Sequence, residues 1–390
     1  MTTACDTCLR RTDLIAAVAP RLDVEWRRRS APAGVLSSPD EALLALDPSG
    51  SAARGYAAFS AAEARERIRR SGLIAVCRCD DGYPERLREL ADPPAVLHVA
   101  GHVEALAAPE SVAVVGARRG TTYGLEVARG LGRGLAAAGI SVVSGMAMGI
   151  DSAAHVGALE HLPGDGSGTA TGWPAGAVAS GAEAPGAGAP VAVLAGGADV
   201  PYPSSRARLY ARLARHGCVV SELPPGFTAY RWCFVARNRI IAGLATMTLV
   251  VEAAVRSGSL TTADFAEQVG RPVAAVPGPV TSRFSAGTNG LLAAGAGLVR
   301  DSRDVLDQLL GPSGETERTA APMRPATPIE PRLRRLLDAI ERGHGSLAEL
   351  APDPARAPQV LRDLTDLELR GLVRRGFGGR YVRAVEDGLP

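Results

Sequence analysis

Ser111-Val-Ala-Val-Val-Gly-Ala-Arg-Arg-Gly-Thr-Thr-Tyr-Gly124 and, after a helical run, Ile140-Ser-Val-Val-Ser-Gly-Met-Ala-Met-Gly-Ile-Asp-Ser-Ala-Ala-His155 decide how this chain folds. Val112 to Val115 is apolar and uncharged, as a strand buried on both faces of a parallel sheet must be. Gly116 ends it, and Gly120 and Gly124 allow a tight turn with little side-chain bulk. Leu125, Ala128, Leu131 and Leu135 recur at helical spacing, so a helix crosses back before Ile140 to Val143 forms a second strand. Strand, glycine turn, helix, strand is half of a Rossmann-like unit. Its loops carry Arg118 and Arg119, then Ser144, Gly145 and Asp151, at the carboxyl edge where open α/β sheets bind ligands.

The residues exclude the familiar cofactors of such a unit. The glycines are spaced G-x-x-x-G-x-x-x-G, not G-x-G-x-x-G, and Ser144-Gly145 stands where a ribose-binding acid would. All 43 basic side chains are arginine. Without lysine there is neither a Walker A nucleotide site nor a pyridoxal Schiff base. No cofactor is therefore expected.

A chain of 390 residues is long enough for two or three domains. A formal net charge of +2 announces no nucleic-acid binder in bulk, although a local patch can act alone. No apolar run is long enough to span a bilayer and no signal peptide is evident, so a cytoplasmic protein without membrane contact is expected. The 6 cysteines are too few for a disulfide scaffold and read as reduced. Cys5-x-x-Cys8 and Cys77-x-Cys79 lack the spacing of paired zinc knuckles and have no histidine close by. They read as ordinary thiols, with no metal.

Residues 1–72 read as a small helical domain, with Leu9, Leu14, Ile15 and Val18 on one stripe. The Rossmann-like core spans 73–310, with strands at Leu73 to Val76, Leu97 to Gly101, Val191 to Leu194, Val219-Val220, Thr248 to Val251, Val273 to Val276 and Leu298-Val299. Apolar runs separated by helices imply an extended Rossmann-like α/β fold with a mostly parallel sheet. The Gly/Ala/Ser/Pro-rich stretch 164–189 reads as a disordered insertion, and 311–331 as a linker. In 332–386, three helical stripes precede Leu372 to Arg375, a Gly-Phe-Gly-Gly turn and Arg380 to Arg383. That is the order of a winged-helix domain. Its third helix is mixed in charge, which leaves duplex DNA and protein equally open as partners.

Phe234-Val-Ala-Arg237-Asn238-Arg239-Ile-Ile-Ala-Gly-Leu244 reads as the start of a helix, where two arginines and exposed amides suit a phosphate. Arg256-Ser257-Gly258-Ser259 follows the next strand and allows close backbone approach to another anion. Arg118, Arg206 and Arg208, Arg237 and Arg239, and the Ser257–Ser259 turn all follow strand ends or open helices. Each arginine alone reads as an ion-pair partner of Glu222, Glu252 or Asp151. Together on one edge they read as a groove for a polyanion, with Phe234 able to stack on a base of single-stranded nucleic acid. Asp151 and His155, four apart on a helix, suit a local hydrogen bond.

The order of S-V-A-V-V-G-A-R, S-G-M-A-M-G-I-D-S-A-A-H, the Y-P after G-G-A-D, S-E-L-P-P-G, F-V-A-R-N-R-I-I-A-G-L, S-G-S-L-T-T-A and P-G…G-T-N-G-L-L resembles the DNA-processing protein A (DprA, or Smf) family from about Tyr83 to Leu309. The resemblance implies a non-enzymatic, homodimeric protein that binds and protects incoming single-stranded DNA and loads the RecA recombinase onto it in natural transformation. It implies phosphate contacts at Arg118, Ser144, Gly145, Arg237, Asn238 and Arg239. Arg206 or Arg208 stands where lysine is common, keeping the charge but not the geometry. The G-A-R turn and Val235 depart slightly from the family pattern. The competing class is a nucleotide phosphoribohydrolase on a related fold, with Glu252 as its acid, although the P-G-G-x-G-T loop of such enzymes is missing.

Overall fold

Alternation along the strands sets the layers of the molecule. In the computed structural model, Val112 and Val114 of β3 (Ser111–Val115) join one buried cluster while Ala113 and Val115 join another. A strand buried on both faces needs an element on each side. On one side these are α6 (Thr122–Ala137) and α7 (Ile150–His161). On the other is α9 (Arg231–Leu244), through Ile240, Ile241 and Leu244. The structure describes residues 4–29, 34–161, 186–311, 330–342, 344–353, 356–369, 372–375 and 381–383. Nearly all of the insertion and linker expected at 164–189 and 311–331, and the Gly-Phe-Gly-Gly turn, lie outside them. The chain divides into two compact units, Met1–Arg318 and Thr319–Pro390.

In chain order the first unit contains α1 (Asp6–Arg29), α2 (Asp40–Leu44), α3 (Ser51–Ala57), α4 (Ala61–Ser71), β1 (Ile74–Cys77), α5 (Glu85–Arg88), β2 (Val96–Gly101), β3, α6, β4 (Ser141–Ser144), α7, β5 (Val191–Val193), α8 (Ala207–His216), β6 (Cys218–Ser221), α9, β7 (Met247–Val250), α10 (Leu260–Gln268), β8 (Val273–Ala275), α11 (Ala286–Ala293), β9 (Gly297–Leu298) and α12 (Ser302–Leu310). One nine-stranded sheet runs β1-β2-β6-β5-β4-β3-β7-β8-β9. From β6 to β9 every pairing is parallel. The order β5-β4-β3-β7-β8-β9 is that of a doubly wound dinucleotide fold. β6 extends it, β2 adds to that edge antiparallel to β6, and β1 adds antiparallel to β2 and so runs with the parallel strands. The sequence pattern marks those two strands but not their direction, because a run of apolar residues reads the same both ways.

Helices α6 and α7 approach through glycine. A Cβ on Gly132 would stand 2.1 Å from the Ala154 carbonyl oxygen, and one on Gly157 would stand 2.0 Å from that of Arg129. The N-terminal helices pack against α9. Leu14, Ile15, Val18 and Leu22 of α1 pack with Trp232 and Cys233 of α9, and Trp232 Nε1 donates to the Ala19 carbonyl at 3.1 Å.

The second unit holds α13 (Pro331–Glu341), α14 (Leu347–Leu350) and α15 (Ala357–Leu369), then β10 (Val373–Arg375) antiparallel to β11 (Tyr381–Arg383). Leu333, Leu336, Leu337, Ile340, Leu364, Leu367, Val373 and Tyr381 form its core. A capping box between Ser346 and Glu349 starts α14, satisfying amides that so short a helix leaves unpaired.

Candidate nucleic-acid interface

The carboxyl ends of β3, β4 and β5 open onto a cleft of about 90 Å³ lined by Arg118, Gly145, Met148, Tyr202, Phe234 and Arg237, among others. Phe234 is half-buried and held from two directions. The Arg118 guanidinium carbon lies 5.1 Å from its ring centroid, and the Tyr202 ring is tilted 55° at 5.2 Å. Arg118 is exposed and Tyr202 half exposed. The rim therefore offers a solvated guanidinium beside two aromatic faces. That chemistry suits a phosphate next to a planar base.

Arg237 forms the floor. Its Nη1 donates to the carbonyls of Gly145 (2.8 Å) and Val193 (2.5 Å) at the ends of β4 and β5, while its Nε has no partner among the described residues. Burial lowers its pKa to about 10, against the attraction of Asp151, so it stays charged at neutral pH. Burial likewise raises the Asp151 carboxyl, and the Arg237 charge opposes the rise. A Cβ at 145 would stand 2.0 Å from Arg237 Nη1, so a larger residue there would have to displace that guanidinium. Asp151 accepts from the Gly145 amide at 3.2 Å, in place of the expected bond to His155. His155 is fully buried.

The triplet Arg237-Asn238-Arg239 lies inside α9, not at its start. The helix begins at Arg231, and Asp23 of α1 already accepts from the amides of Arg231 (3.0 Å) and Trp232 (3.4 Å). Successive helical residues point about 100° apart, so the three fan out. Arg237 turns to the cleft. Asn238 Nδ2 donates to the Gly258 carbonyl (3.0 Å) and to Thr261 Oγ1 (2.7 Å), holding the turn after β7. Arg239 turns into the protein, with a two-pronged bond to Glu222 (2.8 and 2.7 Å) and an ion pair to Asp92 at 3.0 Å. It does not reach the cleft. Neither does the Ser144 hydroxyl, which is buried and donates to the Val114 carbonyl at 2.6 Å.

Ser257 and Ser259 bond to each other, Oγ to Oγ at 2.7 Å, across Gly258. Arg206 and Arg208 follow Tyr202-Pro203 around a short 3-10 turn into α8. Arg118, Arg206, Arg208 and the exposed Arg256 make no ion pair among the described residues. Tyr202 is, like Met148, a member of the cleft that the sequence alone does not assign to it. Its position directly after the β5 loop is the available signal.

The crevice between β3 and β7, where a doubly wound fold reverses strand order and holds a pyrophosphate, is filled from within. The buried carboxylate of Glu252 accepts from the Thr121 amide (2.8 Å) and hydroxyl (2.5 Å) at the start of α6. A Cβ on Gly124 would stand 2.3 Å from it. An anionic cofactor would meet this carboxylate at the helix terminus that otherwise attracts it. The same bonds tie Glu252 to the turn that opens α6.

Known proteins agree with this architecture. A putative DNA processing protein DprA of Mycobacterium tuberculosis is 37% identical over 342 residues, covering 83% of this chain and 81% of its own. The X-ray structure of DNA processing protein A from Streptococcus pneumoniae superposes with a TM-score of 0.58 at 29% identity, over 77% of this chain and 96% of that one. A Helicobacter pylori DNA processing protein A, described for its single-stranded DNA binding mode, gives a TM-score of 0.50 at 26% identity, over 62% and 98%. The family model for DNA recombination-mediator protein A matches residues 75–164 and 166–310, and on these grounds the chain belongs to the DNA recombination-mediator protein A (DprA/Smf) family.

Proposed function

We propose that this protein binds single-stranded DNA along the carboxyl edge of its sheet, without making or breaking a covalent bond. The observation that carries the reading is the Arg118–Phe234–Tyr202 rim over the charged Arg237 floor. Phosphates sit against exposed arginines, and a base stacks where the aromatic rings are presented. Arg206, Arg208, Arg256 and the Ser257–Ser259 turn continue the track on either side. Gly145 and Asn238 shape it, and Arg237 adds positive field from below. Ser144 and Arg239 hold the scaffold. The relative from Helicobacter pylori supports the choice of single strands.

The family resemblance carries the reading further. The chain protects incoming DNA, loads the RecA recombinase onto it during natural transformation and recombination, and works in the cytoplasm as a homodimer. Among the described residues no helix is long and apolar enough to cross a membrane. The helices and hairpin after residue 330 act as a winged-helix module for duplex DNA or a protein.

The test is fluorescence anisotropy of a labelled single strand and its duplex across a salt series. The expected result is preference for the single strand and affinity falling linearly with the logarithm of salt. Equal affinity for both forms, or release of base from nucleoside monophosphates, would end the reading.

A further inference from the structure

By sequence alone Cys5, Cys8, Cys77 and Cys79 read as ordinary thiols, because no clear second pair at a standard zinc spacing and no nearby histidine accompanies them. The fold brings them together. Cys5 and Cys8 flank the first residues of α1, and Cys77 ends β1 with Cys79 just beyond it. Their four sulfur atoms all lie within 4.8 Å of one another. Cys8 and Cys79 are 3.7 Å apart, sulfur to sulfur, and the Cys5 amide donates to the Cys77 sulfur at 3.4 Å.

We propose that Cys5, Cys8, Cys77 and Cys79 bind one zinc ion as a tetrahedral four-thiolate site. Metal–sulfur bonds of about 2.3 Å imply a tetrahedron with edges of roughly 3.8 Å. The Cys8–Cys79 separation already matches, and sub-ångström side-chain shifts close the rest. A four-iron cluster needs its cysteine sulfurs much farther apart, outside a cube of iron and sulfide. A disulfide needs about 2.05 Å, well short of the Cys8–Cys79 distance. Zinc replaces the four thiol protons, which pass to water, and leaves a site of net charge −2. The amino end of α1 and the Cys5 amide favour that charge.

The ion ties the start of α1 to an edge strand of the sheet, closing a loop that no other covalent link closes. The opposite end of α1 caps α9 through Asp23 and holds Trp232 through the Ala19 carbonyl. The clamp therefore steadies the helix that carries Phe234 and Arg237. It stands whether or not the cleft binds DNA.

The full-length protein, produced with zinc in the medium and desalted, is assayed for metal by elemental analysis. About one zinc per chain is expected. Mercurial titration of the thiols should release it as four of them react, and Cys8→Ser and Cys79→Ser should bring it to background. Cys218→Ser, which alters a buried thiol elsewhere, should keep the full equivalent. Cobalt loaded in place of zinc should show the red d–d bands and near-ultraviolet thiolate charge transfer of a tetrahedral site. Wild-type protein with all 6 thiols free and no metal would overturn the proposal. So would disulfides among these cysteines, or iron as the resident ion. The wild-type measurement decides even if a variant fails to fold.

Discussion

Arginines that look alike in the sequence separate here by what surrounds them. Arg118 is exposed over an aromatic ring, whereas Arg239 is buried between two carboxylates. Arg118→Ala is expected to weaken single-strand binding for every sequence tested and to flatten the salt dependence. Removing the charge that neutralises one phosphate should reduce the log–log slope by about 0.7. Folding stability should hardly change. Arg239→Ala should do the reverse, because it strands Glu222 and Asp92 without their counter-charge. A decrease of about 3–5 kcal/mol in urea unfolding is expected. If both variants flatten the salt dependence alike, the assignment of one to the cleft and one to the scaffold is wrong. Phe234→Ala should cost about 1–3 kcal/mol of binding, as removal of base stacking does, and leave the salt slope intact. Anisotropy at two ionic strengths separates that outcome from the removal of a phosphate-binding charge.

Helix α9 joins the sheet, the cleft and the N-terminal helices. Its first amides would be orphaned without Asp23, a residue some 200 positions earlier. Asp23→Ala should lower stability by about 1 kcal/mol, the usual cost of removing a helix cap. Hydrogen exchange should quicken first at Arg231 and Trp232. Exchange that stays uniform along α9 would show that the helix end does not depend on this carboxylate. The glycine-mediated approach of α6 and α7 belongs to the same scale. Sequence periodicity marks both helices, yet nothing local explains Gly132 and Gly157 until the carbonyls they nearly touch are in place.

At the scale of the whole molecule, two imidazoles couple stability to pH. His98 and His155 are wholly buried, and burial pushes each down to about 4. The unfolded chain takes up these protons below about pH 6.5 while the native one does not. Their contribution is therefore complete above about pH 6.5 and is lost as pH falls towards 4, on the order of 3 kcal/mol for each. The raised carboxyls of Asp92 and Asp151 act in the opposite sense. The measurement is thus a comparison: urea midpoints of the wild type and of His98→Gln and His155→Gln at about pH 7.5 and about pH 5. A smaller acid-induced decrease in each variant is expected. Identical decreases would show that neither imidazole contributes.

The amino-acid sequence alone determined which segments become strands and helices, the doubly wound plan, and that the chain carries neither a G-x-G-x-x-G spacing nor a lysine. Those properties follow from local periodicity, from glycine spacing and from residue types that are present or missing. The tertiary structure alone decided how the consecutive residues Arg237, Asn238 and Arg239 part company, since helix rotation sends them to different neighbours. It also decided that Glu252 closes the crevice, that Asp23 occupies the helix end expected to bind phosphate, and that four distant cysteines meet. Each of these rests on contacts between residues far apart in the chain, where no periodic pattern records the distance.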